Sequence, residues 1–94
     1  MKRIEIIANR AIEEDMLEAF GKAGVATHYT KIPIVLGVGN SGPRMGDHIW
    51  PEENFMLIVY CGEEEARSIR SVVKELKEFF QSEGIKIFET EANE

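Results

Sequence analysis

Residues 54–60 read NFMLIVY, and the rest of the chain has to be arranged around them. From Phe55 to Val59 the residues are apolar without any alternation, which is typical of a strand that is buried on both faces. Gly62 follows closely and ends the strand. Because a strand cannot cover its own faces, this pattern predicts that something packs against each side of it.

The segment that follows Gly62 predicts an amphipathic helix and a last strand. Residues 63–65 are three glutamates, which favour the positive N-terminal end of a helix. Apolar residues then recur at helical spacing on one face, namely Ile69, Val72, Val73, Leu76, Phe79 and Phe80. Gly84 ends this helix, residues 85–89 are predicted as a strand, and residues 90–94 as a frayed acidic tail.

Two further strands and one helix are predicted before residue 54. Residues 3–8 alternate with a period of two, as a strand does. Asn9 can cap a helix over residues 11–23, because its side chain accepts from free amides of the first turn. Residues 25–36 are rich in strand-forming side chains. Pro33 within them has no amide hydrogen, so this strand is expected at an edge or with a bulge.

The order strand, helix, strand, strand, helix, strand predicts a single α+β domain over residues 1–94. This is the ferredoxin-like βαββαβ sandwich, an antiparallel four-stranded sheet with both helices on one face. The first and third strands are expected at the centre, and the second at an edge. Since the helices cover only one face, the doubly apolar third strand predicts that another copy of the chain covers the other.

Charge and composition exclude several classes of protein. Eleven basic and seventeen acidic residues give a net charge of −6, which argues against non-specific nucleic-acid binding. Cys61 is the only cysteine, so the chain forms no internal disulfide, and a reducing, cytoplasmic setting is the simplest interpretation. No apolar run approaches the ~20 residues of a membrane span. No Ser/His/Asp or Cys/His set has the spacing of a catalytic triad, so we predict no enzyme.

Residues 37–53, GVGNSGPRMGDHIWPEE, form a long loop without helix or strand periodicity, and such loops are usually functional or disordered. Its first six residues match G-x-G-x-x-G. That motif binds dinucleotides only when a helix follows, whereas Pro43, Arg44 and Gly46 follow here. Glycine amides can still form an anion-binding nest with Arg44 as its counter-charge. A plain flexible loop is an equally good interpretation.

The same loop carries candidates for metal and partner binding. Asp47, His48 and Glu52 offer carboxylate and imidazole ligands for a divalent metal, with Glu53 beside them. A solvated polar loop is the simpler interpretation of these residues. Trp50 either packs against the body of the domain or anchors a partner protein.

These features together resemble the nitrogen-regulatory PII signalling family. The resemblance rests on the opening M-K-x-I, Glu14-Asp15 before an apolar helix face, Gly24, Thr27, Gly37-x-Gly39, and Lys86-Ile87-Phe88 after Gly84. It implies a homotrimer with small-molecule sites between subunits. It also implies that residues 37–53 correspond to the mobile T-loop, which contacts a target such as a membrane transporter or an enzyme. Lys86 matches a family lysine that approaches nucleotide phosphate.

The chain also departs from the family pattern. Residues 81–84 stand where the family has its glycine-rich B-loop, and residues up to Glu94 show no arginine-bearing C-terminal segment. The loop lacks the family's usual modifiable tyrosine. We therefore expect a PII-like paralogue rather than a classical PII protein. The CutA family shares the fold and the trimer, and it supplies the alternative of a trimer that binds a divalent metal.

The resulting prediction is a regulatory protein that binds an anionic effector of the adenine-nucleotide type between subunits and controls a partner protein. The predicted ligand-binding residues are Gly37, Gly39, Ser41, Arg44 and Lys86. The predicted partner-binding residues are Arg44, Asp47, His48 and Trp50. In the metal-binding alternative the ligands are Asp47, His48 and Glu52.

Overall fold

The computed structural model describes residues 1–37 and 53–94. Within them, a short 3-10 turn at Arg10–Ile12 and six larger elements follow one another. In chain order these elements are β1 Lys2–Asn9, α1 Glu13–Ala23, β2 Thr30–Leu36, β3 Glu53–Cys61, α2 Glu63–Phe79 and β4 Ile85–Glu91. The predicted α+β, ferredoxin-like βαββαβ order is confirmed.

The four strands form one antiparallel sheet in the order β2-β3-β1-β4. The first and third strands are therefore central and the second lies at an edge, as the sequence predicts. The pairing of β2 with β3 shifts register between Ile32 and Val35. Pro33 lies within this shift, where its missing amide hydrogen removes no ladder bond.

Both helices pack on one face of the sheet and enclose the core. The largest fully buried side chains come from β1, β3 and both helices: Phe20, Phe55, Ile4, Ile6, Met16, Leu57, Ile69, Val59 and Val73. Asn9 is a cap as predicted, since its Oδ1 accepts from the Ala11 amide at 2.8 Å. It caps the 3-10 turn, however, so α1 begins at Glu13 rather than at Ala11. Gly24 ends α1 in the left-handed conformation, with φ of 70°.

The second strand is shorter than its sequence predicts. Residues 25–29 precede the strand because Val25 and Ala26 turn into the core, where both are buried. Ala26 has a φ of 52°, and its amide donates to Glu65 Oε2 at 2.8 Å instead of to a neighbouring strand. A tertiary contact with α2 has therefore overridden the local strand propensity.

The last strand is longer than predicted and continues to Glu91 instead of stopping at Glu89. Glu91 pairs with Lys2 in the ladder between β1 and β4, and Lys2 Nζ lies 2.5 Å from Glu91 Oε1. The Ala92 amide donates to the Met1 carbonyl at 2.9 Å. Part of the acidic segment predicted as frayed is thus held to the first strand.

Burial along β3 alternates even though its sequence does not. Phe55, Leu57 and Val59 are buried beneath the helices. Met56 and Ile58, on the other face, are only partly buried. In the single chain β3 is therefore buried on one face, and its predicted burial on both faces depends on a partner.

Candidate functional site

The sheet face opposite the helices exposes apolar side chains from all four strands: Ile7, Ile32, Met56, Ile58, Tyr60 and Phe88. We call this surface the open face. Strand pairing arranges it in rows that cross the sheet from β2 to β4. One row is Ile32, Met56, Ile7 and Lys86, and the next is Thr30, Ile58, Glu5 and Phe88.

A polar network crosses the open face at the end of the sheet away from Leu36 and Glu53. Arg3 Nη1 donates to the Tyr60 hydroxyl at 2.5 Å, and the Arg3 guanidinium pairs with Glu5 at 2.9 Å. The guanidinium carbon also lies 5.6 Å from the centroid of the Tyr60 ring. The bonds to Glu5 and then to Tyr60 raise the pKa of Arg3 above its ordinary value. The network therefore orients Tyr60 and balances one cation with one anion.

An open cleft of about 230 Å³ lies at the β2 edge of the open face, next to this network. Its lining comprises His28, Tyr29, Thr30, Ile58 and Tyr60. Tyr29 and Tyr60 are 44% and 52% exposed, so the cleft has aromatic walls that water still reaches. The sequence does not reveal this cleft, because its two tyrosines are far apart in the chain and only strand pairing brings them together.

The two predicted ligand-binding residues that the structure describes lie at opposite edges of the sheet. Gly37 directly follows β2, whereas Lys86 lies on β4 and projects from the open face. Three strand spacings separate these edges, which is about 14 Å. Within one chain the structure does not bring the two residues together. Lys86 is exposed and forms no ion pair with any described residue, so its charge is available to an anion.

The other predicted site residues lie outside the described residues. They are Gly39, Ser41, Arg44, Asp47, His48, Trp50 and Glu52, and their ligand, partner and metal roles stay predictions. Glu53 is described, and its Oε1 pairs with Arg10 Nη1 at 2.7 Å. This ion pair ties the first residue of β3 to the 3-10 turn.

Two other features bear on the chemistry of the described residues. No group of three or more His, Cys, Asp or Glu side chains among residues 1–37 and 53–94 is placed to hold a metal ion. Burial and then the nearby Glu65 raise the pKa of the Cys61 thiol above its ordinary value of 9.0. A protonated, buried thiol is a poor nucleophile.

Comparison with known proteins gives a consistent result. The family model described as "Nitrogen regulatory protein P-II" matches residues 1–94. A search of curated proteins found no match. Within the described part of the chain, no helix combines the length and the apolar character needed to cross a membrane.

Several solved structures resemble this fold. A PII-like signalling protein from Thermus thermophilus is 25% identical, with a TM-score of 0.66 over 95% of this chain and 83% of that one. CPII, a PII-like protein from Thiomonas intermedia, gives 25% identity and a TM-score of 0.56 in its complex with ADP and bicarbonate, over 99% of this chain and 88% of that one. Its complex with ADP, AMP and bicarbonate gives 22% and 0.65 over the same shares.

Proposed function

This chain belongs to the nitrogen regulatory protein P-II family, and we propose that it is a trimeric regulator that senses a small anionic effector. The effector binds between subunits, and residues 37–53 pass the signal to a target protein. In this proposal the chain is a signalling component rather than an enzyme, as the family description indicates.

The observation that carries the proposal is the open face. It exposes apolar side chains across the whole sheet, and monomeric proteins rarely leave a contiguous patch of this kind in water. The charges of Arg3 and Glu5 are already paired within the chain, so burying these two residues against another copy leaves neither of their charges unpaired. A trimer with its open faces turned inward would cover the open face of each of its three subunits.

The positions of Gly37 and Lys86 support an effector site between subunits. In a cyclic assembly, contacts are heterologous, so one edge of a subunit meets a different edge of its neighbour. The β2 edge of one chain would then face the β4 edge of the next. Such an arrangement puts the edge that ends at Gly37 against the neighbour's edge that carries Lys86, although about 14 Å separates the two edges within one chain.

The effector class follows from this charge and from the relatives. Lys86 offers an ammonium group to a phosphate or carboxylate. The CPII structure that is 25% identical to this chain holds ADP and bicarbonate. We therefore expect an adenine nucleotide, with bicarbonate as a second small anion to be tested.

The first test measures assembly and binding on the same sample. Light scattering should give the mass of three chains at micromolar concentration. A thermal-shift panel of ATP, ADP, AMP, bicarbonate and divalent metals should then show stabilisation by a nucleotide. A monomer, or stabilisation by metal alone, would contradict the proposal, and the second result would favour the CutA-like alternative.

A second test asks whether the predicted cations hold the effector. Lys86→Ala and Arg44→Ala should each weaken nucleotide binding by roughly ten- to a hundredfold, since a lost charge-assisted bond costs about 1.5–3 kcal/mol. Lys74→Ala is the matched control, because Lys74 is an exposed lysine on α2 that forms no ion pair with a described residue. Calorimetric titration of each trimer gives the affinities. Equal affinity in all three variants would remove both residues from the site.

The third test concerns residues 37–53. Four glycines make this segment costly to order, because glycine loses more backbone freedom than other residues. We expect amide exchange to be fast over residues 40–47 in the free trimer and slower with the effector. Strong protection in the free protein would instead indicate a rigid pocket, and the switching role would have to be abandoned.

A further inference from the structure

We propose that Phe88 of one subunit inserts into the cleft between Tyr29 and Tyr60 of the next subunit. The inference rests on the proposed trimer and specifies which side chains join its subunits. It also assigns a role to the cleft and to an exposed aromatic residue that the effector site does not use.

Phe88 has the position and exposure of an inserting side chain. It lies on β4, at one edge of the open face, and is 51% exposed. The cleft lies at the opposite edge and is also open to solvent. Both belong to one row of the sheet, because Thr30 pairs with Ile58, Ile58 with Glu5, and Glu5 with Phe88. The projection and the recess are therefore at the same level along the strands.

Cyclic symmetry brings features at the same level together. A rotation carries a point around the axis but not along it. When three sheets surround an axis that runs along their strands, the β4 edge of each chain meets the β2 edge of the next at equal height. Phe88 then faces the cleft that contains Thr30 and Ile58.

The size and chemistry of the cleft suit a side chain better than a free ligand. Its volume of about 230 Å³ is below the roughly 300–1,000 Å³ of typical small-molecule pockets. Two tyrosine rings and Ile58 offer apolar contact, and aromatic rings pack favourably in edge-to-face and offset arrangements. The hydrogen bond from Arg3 holds the Tyr60 wall in place. The cleft is thus formed before the neighbour arrives.

Phe79 provides a matched control within the same chain. It is also an exposed phenylalanine, at 80%, but it lies at the end of α2 and its ring packs edge-on against Phe80 at 4.8 Å. It is not on the open face, so the proposal gives it no part in the subunit contact.

Cysteine cross-linking tests the contact directly. In a Cys61→Ala background, Thr30→Cys combined with Phe88→Cys should form disulfides between subunits under mild oxidation and give a covalent trimer on a non-reducing gel. Within one chain the two positions are about 14 Å apart, and disulfides need Cα atoms within about 7 Å. Any bridge is therefore between chains. The pair Thr30→Cys with Phe79→Cys should stay unlinked.

The outcomes separate this inference from the function on which it rests. Covalent trimers from the Phe88 pair alone support the contact. A trimer by light scattering that does not cross-link, or that links equally through Phe79, overturns the contact while the proposed trimer stands. A monomer by light scattering overturns both.

A second measurement protects the test against a cysteine variant that fails to fold. Phe88→Ala should raise the protein concentration at which the trimer dissociates by more than about tenfold, because a buried aromatic anchor commonly contributes this much. Phe79→Ala should leave that concentration unchanged. Equal dissociation of the two variants would overturn the contact.

Discussion

The two faces of the sheet are made by the same strands and differ in what covers them. On the helix-covered face, Ile4, Ile6 and Leu57 are completely buried. On the open face, the large aromatic side chains of Tyr60 and Phe88 remain about half exposed. One face is complete in a single chain, whereas the other stays open there.

This difference shows that apolar composition alone does not say where a strand is buried. Leu57 and Ile58 are adjacent and similar in size, yet only Leu57 is fully enclosed. Successive side chains of a strand point to opposite faces of the sheet, so the two are covered by different neighbours. Substitutions at neighbouring positions should therefore affect different equilibria, folding for one face and association for the other.

The largest effect is expected on the helix-covered face. Leu57→Ala should lower the free energy of unfolding by about 2–5 kcal/mol, because it leaves a cavity in a fully buried site. The loss should be the same at every protein concentration, since the cavity lies within one chain. Denaturant titration over a hundredfold range of protein concentration measures it. A loss that changed with concentration would show that the two faces are not independent.

On the open face, Ile58→Ala should act mainly on association. Ile58 is partly buried in the single chain and would be fully buried only in the trimer, so removing its side chain should cost at most about 1.5–3 kcal/mol per subunit. The melting temperature of this variant should fall more steeply on dilution than that of the wild type. Light scattering of the same dilution series follows the loss of trimer. A concentration-independent melting temperature in both proteins would mean that the open face is not an interface.

A smaller effect is expected where α2 holds the turn before β2. Glu65→Ala leaves the part-buried amide of Ala26 without its acceptor, which should cost on the order of 1–3 kcal/mol of unfolding free energy. Glu64→Ala is the control, because Glu64 is exposed and bonds to no described residue. Denaturant titration compares the two variants. Like Leu57→Ala, the Glu65 variant should lose stability without losing the trimer, and equal stabilities of the two variants would show that this bond contributes nothing.

The smallest effect concerns the ion pair between Lys2, at the start of β1, and Glu91, at the end of β4. The hydrogen bond from Lys2 lowers the pKa of Glu91 below its ordinary value of 4.5. A lowered folded-state pKa gives stability that is present above pH 4.5 and is lost as the pH falls through the folded-state value. The melting temperature of Glu91→Gln should thus be slightly below wild type at neutral pH, and the two should converge in acid.

The effect of Glu91→Gln should be slight because this carboxylate is exposed to water, which screens the pair. Glu78→Gln removes an exposed charge on α2 that forms no ion pair with a described residue. The difference between its melting temperature and that of the wild type should not shrink as the pH falls. If the melting temperature of Glu91→Gln stayed equally far below that of the wild type at a pH under the folded-state pKa of Glu91, the ion pair would not be the cause of the difference.

Much of the fold could be read from local patterns. The alternation in β1, the apolar stripe of α2 and the stop at Gly24 each depend on neighbouring residues, so they predicted the element order correctly. The predicted stop of α2 at Gly84 was wrong, because the helix ends at Phe79. Pro33 likewise predicted the edge position of β2 because its missing donor is a local property. The predicted end of β4 and the predicted start of β2 were wrong. Pairing with Lys2 extends β4, and the hydrogen bond from the Ala26 amide to Glu65 delays β2, and both contacts join residues far apart in the sequence.

The candidate site divides in the same way. The sequence by itself determined that β3 is apolar on both sides, that residues 37–53 lack helix or strand periodicity, and that Lys86 carries a candidate charge. Only the tertiary structure decided that Gly37 and Lys86 lie at opposite edges, and that Tyr29 and Tyr60 form one cleft level with Phe88. The physical reason is that strand register joins residues distant in the chain, and register depends on how the whole sheet pairs and packs.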